Sequence, residues 1–424
     1  MGLSKDAPSG AVAQAVAQAH RREWARVLAA TVRVTSDLDL AEECTQDAYA
    51  QALLTWARDG IPDRPGGWLT TVARNRARDR LRRDALFQRT LPLLVMDEVV
   101  TGPEDSPEPP AVDDDRLRLI FTCCHPALAR EAQVALTLRL LCGLSTAEVA
   151  RAFLVSPVTM AARITRAKKK ISSARIPYRV PSPAELPERV DAVLEVVHLV
   201  FSTGHSAPIG EQLVRSDLLD GALDLARLLH RLLPGDRQVT ALLALFLLTD
   251  ARRESRVSSA GTLILLADQD RDRWDRKMID EGVALLTLAL AGPVSRFALQ
   301  AAIAAAHAEA ASWADTDWAE IVRLYDLLLQ RWPSPVVLLN RAAAVGLADG
   351  PEAGLLALEP LLAEPALAAY GYLSAARADF LRQLERWPEA FAGYEEALAL
   401  TDNDVERRFL TGRLDEVRAQ IENR

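Results

Sequence analysis

Between Asp97 and Asp115 the chain carries four prolines (Pro103, Pro107, Pro109, Pro110) and eight acids, with no lysine or arginine. Such a stretch buries too little apolar surface to order itself and reads as an acidic linker. Separate modules on either side of it are expected. Ile176 to Pro183 forms a second proline-rich boundary. Outside these breaks the pattern is helical. Ala and Leu account for 71 and 66 of the 424 residues, a bias toward helix over strand. The expected class is all-α, which excludes an all-β fold and a wholly disordered chain.

Ahead of the linker, apolar periodicity predicts helices over residues 11–31, 39–58 and 67–83, with a turn-rich break at 59–66. Asp39 reads as an N-cap, with Glu42 three residues on as in a capping box. The third helix is basic: from Arg64 to Arg89 there are eight basic and two acidic residues. Arg74, Arg78 and Arg82, spaced by four, share a face that can follow phosphates. Asn75 can pair with a base edge, and Trp68 can stack or simply pack. A charge run alone is equally the mark of a solvated face.

Behind the linker, Leu144 to Lys170 reads as a helix-turn-helix. Ser145 caps the first helix with Glu148 completing the box, and Val149, Ala150 and Phe153 form its buried face. Ser156 opens the second helix, and Ile164 falls on its apolar side. Residues 156–180 hold seven basic residues and no acid. A helix of that charge suits the major groove, while a helical hairpin with a solvated basic face is the plainer alternative.

The net charge of −8 conceals a division. Residues 1–180 hold 26 Lys/Arg and 21 Asp/Glu, whereas residues 181–424 hold 24 and 37. A polyanion-binding front joined to an acidic back is the expectation, with the back folding on the front and modulating it. From about residue 185 one helical pattern follows another. Ala390, Tyr394 and Ala397, and again Ala222, Ala226, Leu229 and Pro234, have the spacing of the second helix of a tetratricopeptide (TPR) repeat. A helical-repeat solenoid and an irregular α-bundle both fit.

Residues 12–175 resemble a bacterial RNA polymerase sigma factor of the extracytoplasmic-function (ECF) group, which has only the second and fourth sigma domains. Asp39-Leu40-Ala41-Glu42-Glu43-Cys44-Thr45-Gln46-Asp47-Ala48-Tyr49 resembles the segment that docks on the polymerase β′ clamp. Pro65 to Arg83 is similar to the segment that melts and reads the −10 element, and the helix-turn-helix to the −35 reader. The C-terminal part resembles the ECF subgroup with a TPR-like extension, through Asp217 to Leu229, Asp268 to Asp275 and Ser334 to Ala342. Where that subgroup has Asn-Glu-Gly-Tyr, this chain has Ser202-Thr203-Gly204-His205.

The resemblance implies a sigma domain 2 over 11–90, a flexible acidic linker over 91–112, a sigma domain 4 over 113–176 and a TPR-like domain over 177–424. It implies a promoter-specific initiation factor whose partners are promoter DNA and core RNA polymerase, through its β′ clamp and β flap. Asp39, Leu40, Glu43, Gln46 and Asp47 would hold the clamp. Trp68, Arg74, Asn75, Arg76, Arg78 and Arg82 would take the −10 element. Ser156, Thr159 and Arg163 would lie near −35 bases, with Arg166, Lys168 and Lys169 on phosphates. The acidic linker would thread toward the RNA path, and a protein or ligand partner would fall to the C-terminal domain. Trp68 is the only aromatic between Asp63 and Arg83, so melting should demand a good −10 match.

Cys123, Cys124, His125 and Cys142 lack zinc-ligand spacing, and with Cys44 they read as small core residues. Asp268 to Asp272 alternates acids but lacks the Gly and late Glu of a calcium loop, so a turn pairing Asp with Arg is expected. No metal or cofactor is expected. No nucleophile–base constellation or phosphate loop is visible, so an enzyme is not expected. Met1 to Asp6 has no apolar segment behind its charges, and the longest apolar run, Ala241 to Leu248, is far short of a membrane span. A cytoplasmic protein without membrane association is the expectation. Two rival readings remain: a helix-turn-helix regulator that works without polymerase, and a TPR adaptor. Neither needs the Asp39–Tyr49 and Trp68–Arg83 segments.

Overall fold

A computed structural model describes residues 10–90, 115–153 and 155–422, without the side chains of 84–90. The acidic linker lies outside the described residues, as does Leu154 in the helix-turn-helix. Two compact units emerge, the first ending at Val197 and the second running from His198 to Arg424.

The first unit begins with three mutually packed helices, α1 (Gly10–Thr35), α2 (Leu38–Asp59) and α3 (Pro65–Thr90). Their close approach rests on small residues. Ala41, Ala48 and Ala52 on α2, and Ala73 and Ala77 on α3, are wholly buried. On α3 the buried stripe Leu69, Ala73, Ala77 repeats every four residues, so the arginine stripe one position on is turned outward. The N-cap of α2 is Asp37, whose side chain accepts from the amides of Asp39 and Leu40. The cap thus sits two residues before the expected Asp39, which leaves the Asp39 carboxylate for another partner.

After the linker come α4 (Asp115–Cys123), α5 (Arg130–Leu136), a π-helical turn (Thr137–Leu141), α6 (Thr146–Ala152) and α7 (Pro157–Ser173). Ser145 and Glu148 form the expected capping box of α6. Ser156 caps α7, with Pro157 supplying the fixed φ of a first helical turn. Cys44, Cys123 and Cys124 are buried free thiols. Burial pushes the Cys124 thiol up to about 11, so it packs as a small apolar group.

This second group of helices docks on the first within the same unit. The Tyr178 hydroxyl donates to the carbonyls of Ala29 (2.9 Å) and Asp115 (3.1 Å). Gly143, at φ +71°, approaches so closely that a Cβ there would lie 3.1 Å from the Trp24 ring and 3.2 Å from His20. Arg139 lies over the Trp24 ring, 5.9 Å from its centre. The unit reaches past residue 185, because Arg130 pairs with Glu195 and Arg189 donates to the Phe121 carbonyl.

Next come α8 (Leu186–His205), a short strand β1 (Ile209–Gly210), α9 (Ser216–Leu232), α10 (Arg237–Asp250), α11 (Arg276–Leu290), α12 (Arg296–Glu309), α13 (Trp318–Arg331), α14 (Pro335–Asp349), α15 (Pro351–Leu358), α16 (Gly371–Gln383), α17 (Trp387–Ala399), β2 (Asp402–Asn403) and α18 (Asp404–Glu422). From α9 onward each helix packs on the next. The apolar run Ala241–Leu248 is the middle of α10, buried on every side by α9, α11 and α12. No helix among the described residues is long and apolar enough to cross a membrane.

The residues with TPR spacing face inward: Ala222, Ala226 and Leu229, and Ala390, Tyr394 and Ala397, are all buried. β1 pairs in parallel with β2, Ile209 opposite Asp402 and Gly210 opposite Asn403. The buried Asn403 amide donates to the carbonyls of Ala207 (2.9 Å) and Gln212 (3.0 Å). One side chain thus closes residues nearly two hundred positions apart.

Candidate polymerase and DNA interface

The docking face expected on α2 is exposed at Asp39, Glu43, Gln46 and Asp47 and half-buried at Leu40. Its carboxylates are already engaged inside the unit. Arg76 bonds Asp47 and Gln51, each at 2.9 Å, and Arg80 bonds Glu43 at 2.9 Å. These are solvent-facing pairs, worth at most about 1 kcal/mol each, so an incoming partner displaces them readily.

On α3, Arg78 and Arg82 are exposed and Arg74 is half-buried with its Nε unpartnered. Arg78 reaches the Asn75 amide oxygen at 3.5 Å, and Arg82 lies 3.9 Å from Asp79. Trp68 is half-buried, its ring edge-on to Trp56 with centres 5.6 Å apart. It packs on one side and leaves the other accessible. The described part of α3 therefore offers one outward cationic stripe and one partly free aromatic ring.

On α7, Ser156 and Thr159 are exposed at the helix start, and Ser156 Oγ accepts the Thr159 amide at 3.1 Å. Arg163 lies over the Phe153 ring, 5.5 Å from its centre. Arg166 and Lys169 face outward. The outward face also includes Val158, 79% exposed, together with Ala161, Ala162 and Thr165. Sequence reasoning followed charge and passed over these small neutral residues. Their spacing from Val158 (three, four and seven) was the available signal, and an exposed valine suits contact with a thymine methyl.

Lys168 departs from expectation. It was placed on phosphates, yet it is only 9% exposed, and its ammonium bonds Asp39 at 2.7 Å and Glu42 at 2.6 Å. Glu42 is also bound by Arg139. Burial pulls the Lys168 ammonium down, but the Glu42 carboxylate and the bonds to Asp39 and Glu42 outweigh it and hold its pKa above the ordinary value. Lys168 thus ties α7 to α2 within the first unit and is not part of the outward face of α7. Asp39 was itself expected on the clamp, so residues assigned to two different partners bind each other here.

In the second unit, Asp268 to Asp272 does form a turn, with Asp270 capping through the Asp272 amide. Among the described residues, no Asp–Arg ion pair is found within this turn. Arg271 instead donates to the carbonyls of His307 (2.6 Å) and Ala310 (2.7 Å).

Comparison with known proteins agrees with this geometry. Residues 19–86 match the family model described as Sigma-70 region 2, which spans most of α1 to α3. Residues 118–171 match Sigma-70, region 4, which contains the helix-turn-helix. Residues 189–290 match a family of unknown function, DUF6596. An uncharacterized protein of Rhizobium meliloti (strain 1021) is 41% identical over 402 residues, covering 93% of this chain and 94% of its own. No solved structure matches. The two sigma regions, in this order and followed by a helical extension, place the chain in the sigma-70 family, as an ECF-like sigma factor with a C-terminal extension that directs promoter-specific transcription.

Proposed function

We infer that the free chain is a sigma factor held closed, in which the −35 helix covers part of the polymerase-docking surface until that contact is released. The observation that carries this reading is the ion-pair cluster of Lys168 with Asp39 and Glu42, joined by Arg139. Sigma factors are non-catalytic regulators that act through core RNA polymerase and promoter DNA. In the open form, Asp39, Leu40, Glu43, Gln46 and Asp47 bind the β′ clamp, and sigma domain 4 reaches the β flap. Trp68, Asn75 and Arg76 receive unstacked −10 bases, while Arg74, Arg78 and Arg82 run along phosphates. Ser156, Thr159 and Arg163 meet −35 bases with Val158 and Thr165 beside them, and Arg166 and Lys169 meet phosphates.

The division into sigma domain 2 (11–90), linker (91–112), sigma domain 4 (113–176) and TPR-like domain (177–424) is part of the same proposal. So is a cytoplasmic setting, where polymerase is found. The C-terminal domain, rich in Asp and Glu, is proposed as the regulatory part, through a protein or ligand partner. The test is co-purification of the full chain with core polymerase, followed by run-off transcription. Promoter-specific transcripts lost on Asp47→Ala or Arg78→Ala support the assignment. Operator binding with no polymerase association would favour the regulator reading and overturn it.

A further inference from the structure

In the second unit, α12 packs on both α11 and α13, and the three helices leave a groove with a cavity of about 550 Å³. Leu286 and Leu290 of α11, Leu299 and three alanines of α12, and Leu324 and Leu327 of α13 line it. The alanines end at a single methyl, so they leave room beside the longer leucines of the flanking helices. Leu290 is 41% exposed and Leu327 47%, so large apolar side chains meet water on both flanking helices. An apolar patch of this kind marks a surface that another molecule covers.

The two ends of the groove differ in charge. The Arg296 guanidinium lies 4.9 Å from the centre of the Trp332 ring, and the His307 and Trp318 rings are 5.2 Å apart. The start of α12 therefore meets the end of α13, and its end meets the start of α13, so the two run antiparallel. Glu309 and Glu320 thus line one end of the groove and Arg331 the other. Among the described residues, Glu309 and Arg331 have no ion pair or hydrogen bond, and Glu320 is held by Arg323 at 2.8 Å.

An occupant must bury apolar surface here without burying unpaired backbone. The backbone groups of the groove helices are engaged within those helices, so an extended peptide laid there would bury N–H and C=O groups without partners. A helix arrives with those groups satisfied and needs only an apolar stripe. Glu320 and Arg331 are eleven residues apart on α13, about 16 Å, which three turns of an incoming helix match. Helices favour acids in the first turn and bases in the last, which fixes a direction. We propose that this groove docks an amphipathic helix of a partner protein, its basic C-terminal turn on Glu309 and Glu320 and its acidic N-terminal turn on Arg331. The inference rests on the reading of the C-terminal domain as the regulatory part and gives that domain a partner class.

The test is anisotropy of a labelled synthetic helix of about fourteen residues titrated with the full chain. The peptide carries leucines at three- and four-residue spacing, glutamates in its first turn and lysines in its last. Saturable binding is expected, and a second peptide with glutamates in place of the lysines should bind at least about fivefold more weakly. Glu309→Lys combined with Glu320→Lys should reverse that preference, which neither a merely sticky surface nor a loss of folding would do. Leu327→Asp, at an exposed position, should abolish binding while leaving the melting midpoint near that of the parent. The assay contains no polymerase and no DNA, so its failure would strike the groove and leave the regulatory reading to be judged by transcription. No saturable binding, equal affinity for the two peptides, or unchanged binding in Leu327→Asp would overturn the proposal. So would concentration-dependent dimerisation of the chain alone that is lost in Leu327→Asp, which would give the groove to a second copy instead.

Discussion

Lys168→Met asks whether the −35 helix restrains polymerase docking. The ammonium sits 2.7 Å from Asp39 and 2.6 Å from Glu42, nearly out of reach of water. Removing one partner of a buried ion pair costs about 3–5 kcal/mol when the survivor is left uncompensated. Here Glu42 keeps Arg139, and Asp39, 71% exposed, simply rehydrates. The loss should fall to roughly 2 kcal/mol, about a 30-fold shift toward the open form. Anisotropy titration of labelled protein with core RNA polymerase should then show tighter binding, by up to about that factor. Circular dichroism would establish that the variant is folded. The pH dependence has a definite sign. The Lys168 pKa is raised on folding, so its stabilisation is complete below the ordinary value of 10.5 and is lost as pH rises through the folded value. Closure should therefore be indifferent to pH across the neutral range and weaken only in alkali. A folded Lys168→Met chain that binds polymerase no more tightly than the parent would refute the reasoning.

Other outcomes are as definite. Arg163→Ala should weaken −35-dependent transcription by roughly 1–3 kcal/mol if the side chain leaves Phe153 to pair with guanine, and unchanged promoter preference in run-off assays would remove that role. Gly143→Ala combines a positive φ with a Cβ pressed on Trp24, so it should lower the melting midpoint of the first unit, whereas a parent-like midpoint would show that the contact gives way. His198 and His307 are both held near 4 by burial, so the unfolded chain takes up protons first as pH falls. The second unit should lose stability progressively from about pH 6.5 toward 4, and a flat melting profile over that interval would contradict it.

Much of the local architecture was readable in advance because its causes are local. The Ser145–Glu148 box, the Ser156 cap and the four-residue stripe on α3 follow from groups within one helical turn of each other. The cap of α2 was misplaced for a related reason: Asp37 and Asp39 are equally able to cap, and only the path of the chain selects between them. The outward face of α7 was half legible. Charge pointed to Arg166 and Lys169, while Val158, Ala161, Ala162 and Thr165 carry no charge to attract notice.

By itself the sequence determined the helical class and the two sigma regions, since these rest on periodicity, composition and short motifs. Only the tertiary structure decided which charges are available. Lys168 and Lys169 are indistinguishable as letters in a basic run, yet one is buried against Glu42, 126 positions away, and the other faces solvent. Arg252 and Arg253 are adjacent, yet Arg253 holds two carboxylates while no ion pair to Arg252 is found among the described residues. The helix turns about 100° per residue, so neighbours in the chain enter different surroundings, and distant segments supply the partners that settle each residue's role.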